Sequence, residues 1–261
     1  MRPTGVRWLL LTALCATLVG CDTEVADHGA DVPGRAREAL DCPGRPWQQG
    51  SGNYDTGPES VQDDAGQALD NWLDEERGLL PDIDIEETGR HGEEVLYSWR
   101  EGESGLASFV VRDGMAGPGG DRGWGVASYA ICDPSYWPPE LSEASGFLVW
   151  TNADGDRVPT SLVHSEPGPE HGDWQDMTFL FLGNEGRDGE FYGRPGPDLD
   201  EFLRTTYAAR TELPSDARDT GYARDGRELW IAADGGAAYL VGADGDAQRW
   251  PAPARRPIRC L

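Results

Sequence analysis

Two imidazoles and four carboxylates fall within thirteen consecutive residues: His164, Glu166, Glu170, His171, Asp173 and Asp176. Imidazole nitrogen together with carboxylate oxygen suits Zn²⁺ or another divalent ion. The same groups suit hydrolysis, with a histidine as general base. The spacing matches no metal motif, and Pro167, Gly168, Pro169 and Gly172 interrupt any helix or strand that would present these groups on one face. A solvated acidic loop is the default expectation, with no resident metal or cofactor; His164, His171, Asp173 and Asp176 are the metal candidates. Asn152-Ala153-Asp154-Gly155-Asp156 begins like a calcium loop but lacks the downstream bidentate glutamate, so it reads as a hairpin turn. A Ser-His-Asp site is recognised by geometry and not by order. The only bases available to one outside the N-terminal region are His91, His164 and His171.

Tryptophan offers a second kind of chemistry, because its face stacks on sugars. Trp72, Trp99, Trp150 and Trp230 occupy apolar positions of expected helix or strand and belong to a core. Trp47, Trp137 and Trp250 border proline and are the candidates for binding.

Other chemistries are excluded by composition. The 261 residues contain no lysine; all 22 basic residues are arginine. Phosphate-binding P-loops, Ser-x-x-Lys acyl enzymes and Schiff-base catalysis each require that amine. No Gly-x-Ser-x-Gly elbow and no His-Glu-x-x-His helix is present.

The N-terminus carries a separate signal. A basic start with Arg2 and Arg7 precedes an apolar run from Trp8 to Leu18, too short for the about 20 apolar residues a spanning helix needs. It ends in Leu18-Val19-Gly20-Cys21, a lipobox, where diacylglycerol joins the thiol and the chain is cut before it. Residues 1–20 are read as a lipoprotein signal peptide and Cys21 as the lipidated residue. Two or more acyl chains give stable anchoring. Residues 21–41 follow as a disordered acidic tether, polar and poor in apolar side chains. Twenty residues reach about 65–70 Å at full stretch and about 25 Å as a coil. Loss of the signal removes Arg2 and Arg7 and no acid, so the net charge of −25 becomes −27. Such a field repels nucleic acid, which is not expected as a partner.

With Cys15 in the signal and Cys21 lipidated, Cys42, Cys132 and Cys260 remain. Three thiols in an oxidising compartment imply one bridge and one left over. Cys132–Cys260, which would pin the C-terminal tail, is the preferred pair and Cys42–Cys132 the second.

The elements that must position these groups are mostly strands. Residues 42–261 are long enough for one globular extracytoplasmic domain. Ser60 and Asp63 open a helix over about 60–77, with Val61, Ala65, Ala68, Leu69, Trp72 and Leu73 on one face, and Gly78 and Pro81 ending it. Shorter helical patches cover Glu140–Ala144 and Leu199–Arg204. Strands are expected at Val95–Trp99, Gly105–Val111, Trp124–Cys132, Phe147–Thr151, Met177–Leu182, Glu228–Ala232 and Ala237–Val241. Asp-Gly pairs at Asp113, Asp154, Asp188, Asp225, Asp234 and Asp244 supply type I′ hairpin turns. The fold class is α+β, β-rich: antiparallel sheets built from short hairpins, with the one amphipathic helix packed on a face.

The lipobox, the acidic tether, Trp124-Gly125-Val126-Ala127-Ser128-Tyr129-Ala130-Ile131-Cys132-Asp133-Pro134 and Arg249-Trp250-Pro251 before Cys260 resemble a family of uncharacterised lipoproteins of high-GC Gram-positive bacteria. So do Asp173-Trp174-Gln175-Asp176-Met177-Thr178 and Asp219-Thr220-Gly221-Tyr222. The resemblance spans nearly the whole chain. It implies a cysteine in similar proteins where Gly172 stands here, and hence a bridge partner lost from this one. The expectation is a lipid-anchored protein on the extracytoplasmic face of the cell membrane, non-enzymatic, that binds an envelope ligand or protein partner. The alternative is an extracytoplasmic hydrolase, metal-dependent or not, working through the His164–Asp176 loop.

Overall fold

The structure, a computed structural model, describes residues 32–44, 46–51, 61–76, 80–117, 120–168, 176–184, 187–196 and 203–254. They belong to one compact unit that begins at Asp31. Cys21, Cys260, Ser60, Glu170, His171 and Asp173 lie outside the described residues, as do the signal peptide and the first part of the expected tether. Among the described residues no helix is long and apolar enough to cross a membrane.

Apolar alternation produces the first sheet. After helix α1 (Val32–Glu38), strand β1 (Gln48–Gly50) and helix α2 (Ala65–Glu75), four strands follow as a meander: β2 (Glu86–His91), β3 (Glu94–Glu101), β4 (Ser104–Ala116) and β5 (Arg122–Ile131). The spatial order is β1-β5-β4-β3-β2, antiparallel throughout. Leu106 to Val111 is buried without a break, because a helix covers each face of β4. On one face, Ala65, Ala68, Leu69 and Trp72 of α2 meet Val95, Trp99, Phe109 and Val126. On the other, Ala36 of α1 is fully buried among Val110, Ala127 and Ala130.

That second contact corrects the tether. Residues 32–38 are helical and packed, so the folded part starts ahead of Cys42. Ser108 Oγ donates to the Ala36 carbonyl, and Arg35 pairs with Glu94. Gly105 lets the chain come close, since any side chain there would strike the carbonyl of Ala39. The apolar content of this stretch is low because its helix buries only one small side chain deeply.

The helix expected over 60–77 is shorter. Asp64 is its N-cap and accepts from the backbone N–H of Gly66 at 2.9 Å and Gln67 at 3.2 Å. Gln62 does not join the helix, because its backbone pairs with Trp124 at the edge of β5. The disulfide also differs from the preferred pair: Cys42 bonds to Cys132, with Cα atoms 5.9 Å apart. The pairing of β1 with β5 brings Cys42 to the end of β5, so Cys132 is not joined to Cys260.

A 3-10 turn (Pro134–Tyr136) and helix α3 (Pro139–Ala144) lead into the second half. There β6 (Leu148–Val149), β7 (Val163–Pro167), β8 (Thr178–Asn184) and β9 (Arg187–Arg194) form one antiparallel sheet in sequence order. The other contains β10 (Ala208–Thr211), β11 (Arg218–Arg224), β12 (Arg227–Ile231), β13 (Ala237–Gly242) and β14 (Ala247–Pro251). Its order is β10-β14-β13-β12-β11. The two sheets share a core in which Trp150, Val163, Leu180 and Tyr192 meet Leu229, Ile231, Leu240 and Trp250. The α+β, β-rich class therefore holds; α3 falls on the expected helical patch Glu140–Ala144, most of the patch Leu199–Arg204 lies outside the described residues, and α1 is the helix not expected.

Candidate functional site

Strand parity builds the site. Inward-facing positions run Ile231, Leu229 and then Arg227 on β12, Tyr222 then Arg224 on β11, and Tyr192 then Arg194 on β9. Along the same direction Leu180 gives way to Thr178 and Val163 to Ser165. The core of the sandwich thus turns polar toward one end, where three guanidinium groups and Trp150 and Trp250 surround a cavity of about 310 Å³.

Each arginine is held differently. The β11–β12 turn is Asp225-Gly226, with φ of 51° and 71°, a two-residue hairpin that sets Arg224 directly opposite Arg227. Like charges facing across strands repel. Arg227 is steadied by Asp246 at 3.2 Å and by the carbonyl of Leu240 at 3.3 Å. Among the described residues Arg224, its side chain 17 % exposed, has the longer approaches of Asp225 at 3.5 Å and Glu143 at 3.9 Å. Arg194 donates to Thr178 Oγ1 at 3.2 Å and lies 5.5 Å over the ring of Trp250, a cation–π geometry. Trp150 Nε1 donates to Ser165 Oγ at 3.2 Å, and Trp250 Nε1 to Gln248 Oε1 at 3.4 Å. Leu148, Trp150, Leu240 and Trp250 give the cleft an apolar side, and polar or charged residues make up the rest of its lining.

Of the site residues named from sequence that are described, one lies here. Trp250 lines the cleft. Trp137 is not a surface residue: it is 1 % exposed, donates its N–H to the Cys132 carbonyl at 3.1 Å, and packs against Trp47 and Trp99. Trp47 is half-buried in the same cluster, 5.1 Å from Phe147. Proline neighbours misled here, because the loop after β5 folds back onto the first core.

His164 is buried on β7 and not in a loop. Its Nδ1 lies 2.6 Å from the Thr160 carbonyl and its Nε2 3.2 Å from Glu166, with Phe147 and Phe181 against the ring. Both nitrogens are engaged, which suits a packing role. Asp176 is exposed at the start of β8. Among the described residues no group of histidine, cysteine and carboxylate side chains has the geometry to hold a metal. Asn152 Oδ1 accepts from the N–H of Asp154 at 3.0 Å and of Asp156 at 2.9 Å, an Asx turn in place of a calcium loop.

A second buried polar group closes the junction between the two halves. Asp133 accepts from the Thr160 N–H at 2.8 Å, the Thr160 hydroxyl at 2.9 Å and the Ser135 N–H at 2.9 Å. Nearby, Arg157 donates to the carbonyls of Trp137 and Pro134 and to Ser142 Oγ; burial lowers its pKa, while Asp133 opposes that shift.

Arg194 and Arg224 were missed from sequence because β9 and β11 carry charged, glycine-containing stretches that show no apolar period. The readable signal was Arg227-Glu228-Leu229-Trp230-Ile231, whose alternation places Arg227 on the same face as Leu229 and Ile231. Comparison with protein families, with curated proteins and with solved structures returns no match.

Proposed function

We propose that this is a membrane-anchored envelope lipoprotein whose folded domain binds a ligand in the cleft between the two C-terminal sheets. The observation that carries the binding is the set of three arginines on inward-facing strand positions around that cavity. Arg224 and Arg227 are half-buried there and cost desolvation unless partners satisfy them, while Arg194 is exposed. Neither buried histidine chemistry nor a metal is needed for this role. The lipobox supplies the location.

Two measurements test it. Replacing Cys21 with Ala shifts the protein from the membrane fraction to the soluble secreted fraction; unchanged fractionation would refute the anchor. A thermal-shift screen of the full chain against neutral, cationic and anionic small molecules yields stabilising compounds whose effect disappears in Thr178→Trp, which fills the cleft. A screen in which no compound of any class stabilises the wild type, or in which Thr178→Trp responds equally, removes the cleft as a ligand site.

A further inference from the structure

Resting on the cleft as the binding site, we infer the chemical class of its ligand: a small organic anion, with one carboxylate or phosphate head on a body about the size of one sugar ring. The argument begins with charge. In a chain of net −25, three guanidinium groups converge on one cavity. Asp225 also lines it, Asp246 engages Arg227 and Glu143 stands 3.9 Å from Arg224, so the cleft comes near charge balance within a strongly acidic chain, and among the described residues Arg194 has no carboxylate partner. The acidic remainder of the surface repels anions at long range. An anion therefore binds here only through short, directed contacts.

The geometry supplies those contacts. Arg224 and Arg227 face each other across a two-residue hairpin, and their mutual repulsion falls when a bound oxyanion lies between them. Among the described residues Arg224 has no carboxylate closer than 3.5 Å, which leaves N–H donors for a ligand. A guanidinium presents paired donors that match carboxylate and phosphate oxygens. Thr178 and the buried Ser165 add hydroxyls to the lining. Leu148, Trp150 and Leu240 form an apolar wall for the body of the ligand. The volume of about 310 Å³ stands at the lower end of small-molecule sites, which limits the ligand to a single ring or a chain of similar bulk.

The full chain, purified in a non-ionic detergent, is titrated with glucuronate, glucose 6-phosphate, inorganic phosphate and glucose. Tryptophan fluorescence and calorimetry report binding, because Trp150 and Trp250 wall the cavity. Saturable binding of glucuronate or glucose 6-phosphate is expected, at least tenfold tighter than glucose; which of the two binds identifies the head group. Arg224→Gln and Arg194→Gln each weaken it about tenfold or more, with an unchanged far-UV spectrum. If either variant fails to fold, competition on the wild type decides: the sugar anion is displaced by an excess of acetate or inorganic phosphate but not by glucose. Glucose binding as well as glucuronate, anion binding unaffected by both substitutions, or displacement by glucose as readily as by those anions would each overturn the ligand class while leaving the cleft as a site. No saturable binding of either sugar anion overturns it as well. The cleft reading itself then stands or falls on the Thr178→Trp screen.

Discussion

Tyr192 shows how a single buried group sets a limit on alkaline stability. It is fully buried in the sandwich core, and its hydroxyl donates to Glu190 at 2.6 Å. Burial, then the hydrogen bond to Glu190 and its charge, push the phenol far above its ordinary value. The folded pKa is thus above the unfolded one of about 10. The contribution of Tyr192 is fully present below pH 10 and is lost as pH rises above it, since only the unfolded chain can then release the proton. Unfolding free energy measured by urea titration should fall steadily above pH 10. Tyr192→Phe should flatten that fall, leaving a residual slope from Tyr97, Tyr129, Tyr136 and Tyr239, which burial shifts the same way. An identical slope in the variant would show that Tyr192 does not control it. Asp133 acts at the same scale. Its carboxylate holds Thr160 and Ser135 against each other across the junction, so Asp133→Ala should cost about 2–3 kcal/mol by denaturant unfolding at pH 7. A change under 0.5 kcal/mol, on the order of a surface substitution, would mean that water replaces it without loss.

Element by element, the elements with a buried apolar period were legible and those without one were not. β3, β4, β5, β12 and β13 all appear where alternation or an apolar run places them. β2, Glu-Glu-Thr-Gly-Arg-His, is an edge strand with mostly exposed side chains, so neither face carries a hydrophobic signal. The same reason hides β10 and β11, whose side chains are largely exposed or half-buried. Asp-Gly pairs were read too uniformly. Asp225-Gly226 forms the two-residue hairpin, and Asp234-Gly235 and Asp244-Gly245 lie in longer turns. Asp113-Gly114 sits in a bulge of β4, where the register slips between Arg112 and Met115. Asp188-Gly189 lies within β9. Pairing partners, which come from distant chain, decide between turn and bulge. The cleft followed the same rule: its arginines become visible only once the parity of β9, β11 and β12 is known. For α2 the local rule locates the helix but misplaces its start, which Asp64 caps. Asp64→Ala removes the cap from two N–H groups and should destabilise by about 1 kcal/mol in thermal or chemical unfolding, against a negligible effect of Asp63→Ala. Equal effects of the two would place the helix start elsewhere.

Considered whole, the molecule joins a helix-covered sheet to a β-sandwich, with one covalent cross-link in the first part. Cys42 and Cys132 are 90 residues apart, so closing that loop should stabilise by about 4–5 kcal/mol on the chain-entropy model. Cys42→Ser should lower the unfolding free energy by an amount of that order and leave the C-terminal sandwich with its fluorescence intact at moderate denaturant. A loss below 1 kcal/mol would mean that β1 already fixes the segment without the bridge. The bridge also bears on mechanics. On the proposed anchoring at Cys21, any tension between membrane and domain enters the fold at α1, which rests on one deeply buried alanine, a hydroxyl contact and an exposed ion pair. α1 is the part that yields first, paying out residues 32–41, whose fully extended length is about 33–36 Å. The pull then meets Cys42 and passes through sulfur to the end of β5, a strand flanked by β1 and β4, where ladder bonds on both sides must shear together instead of opening singly from an edge. A short helix followed by a cross-link is thus a slip joint with a stop: the leash lengthens under load while the ligand cleft stays undisturbed.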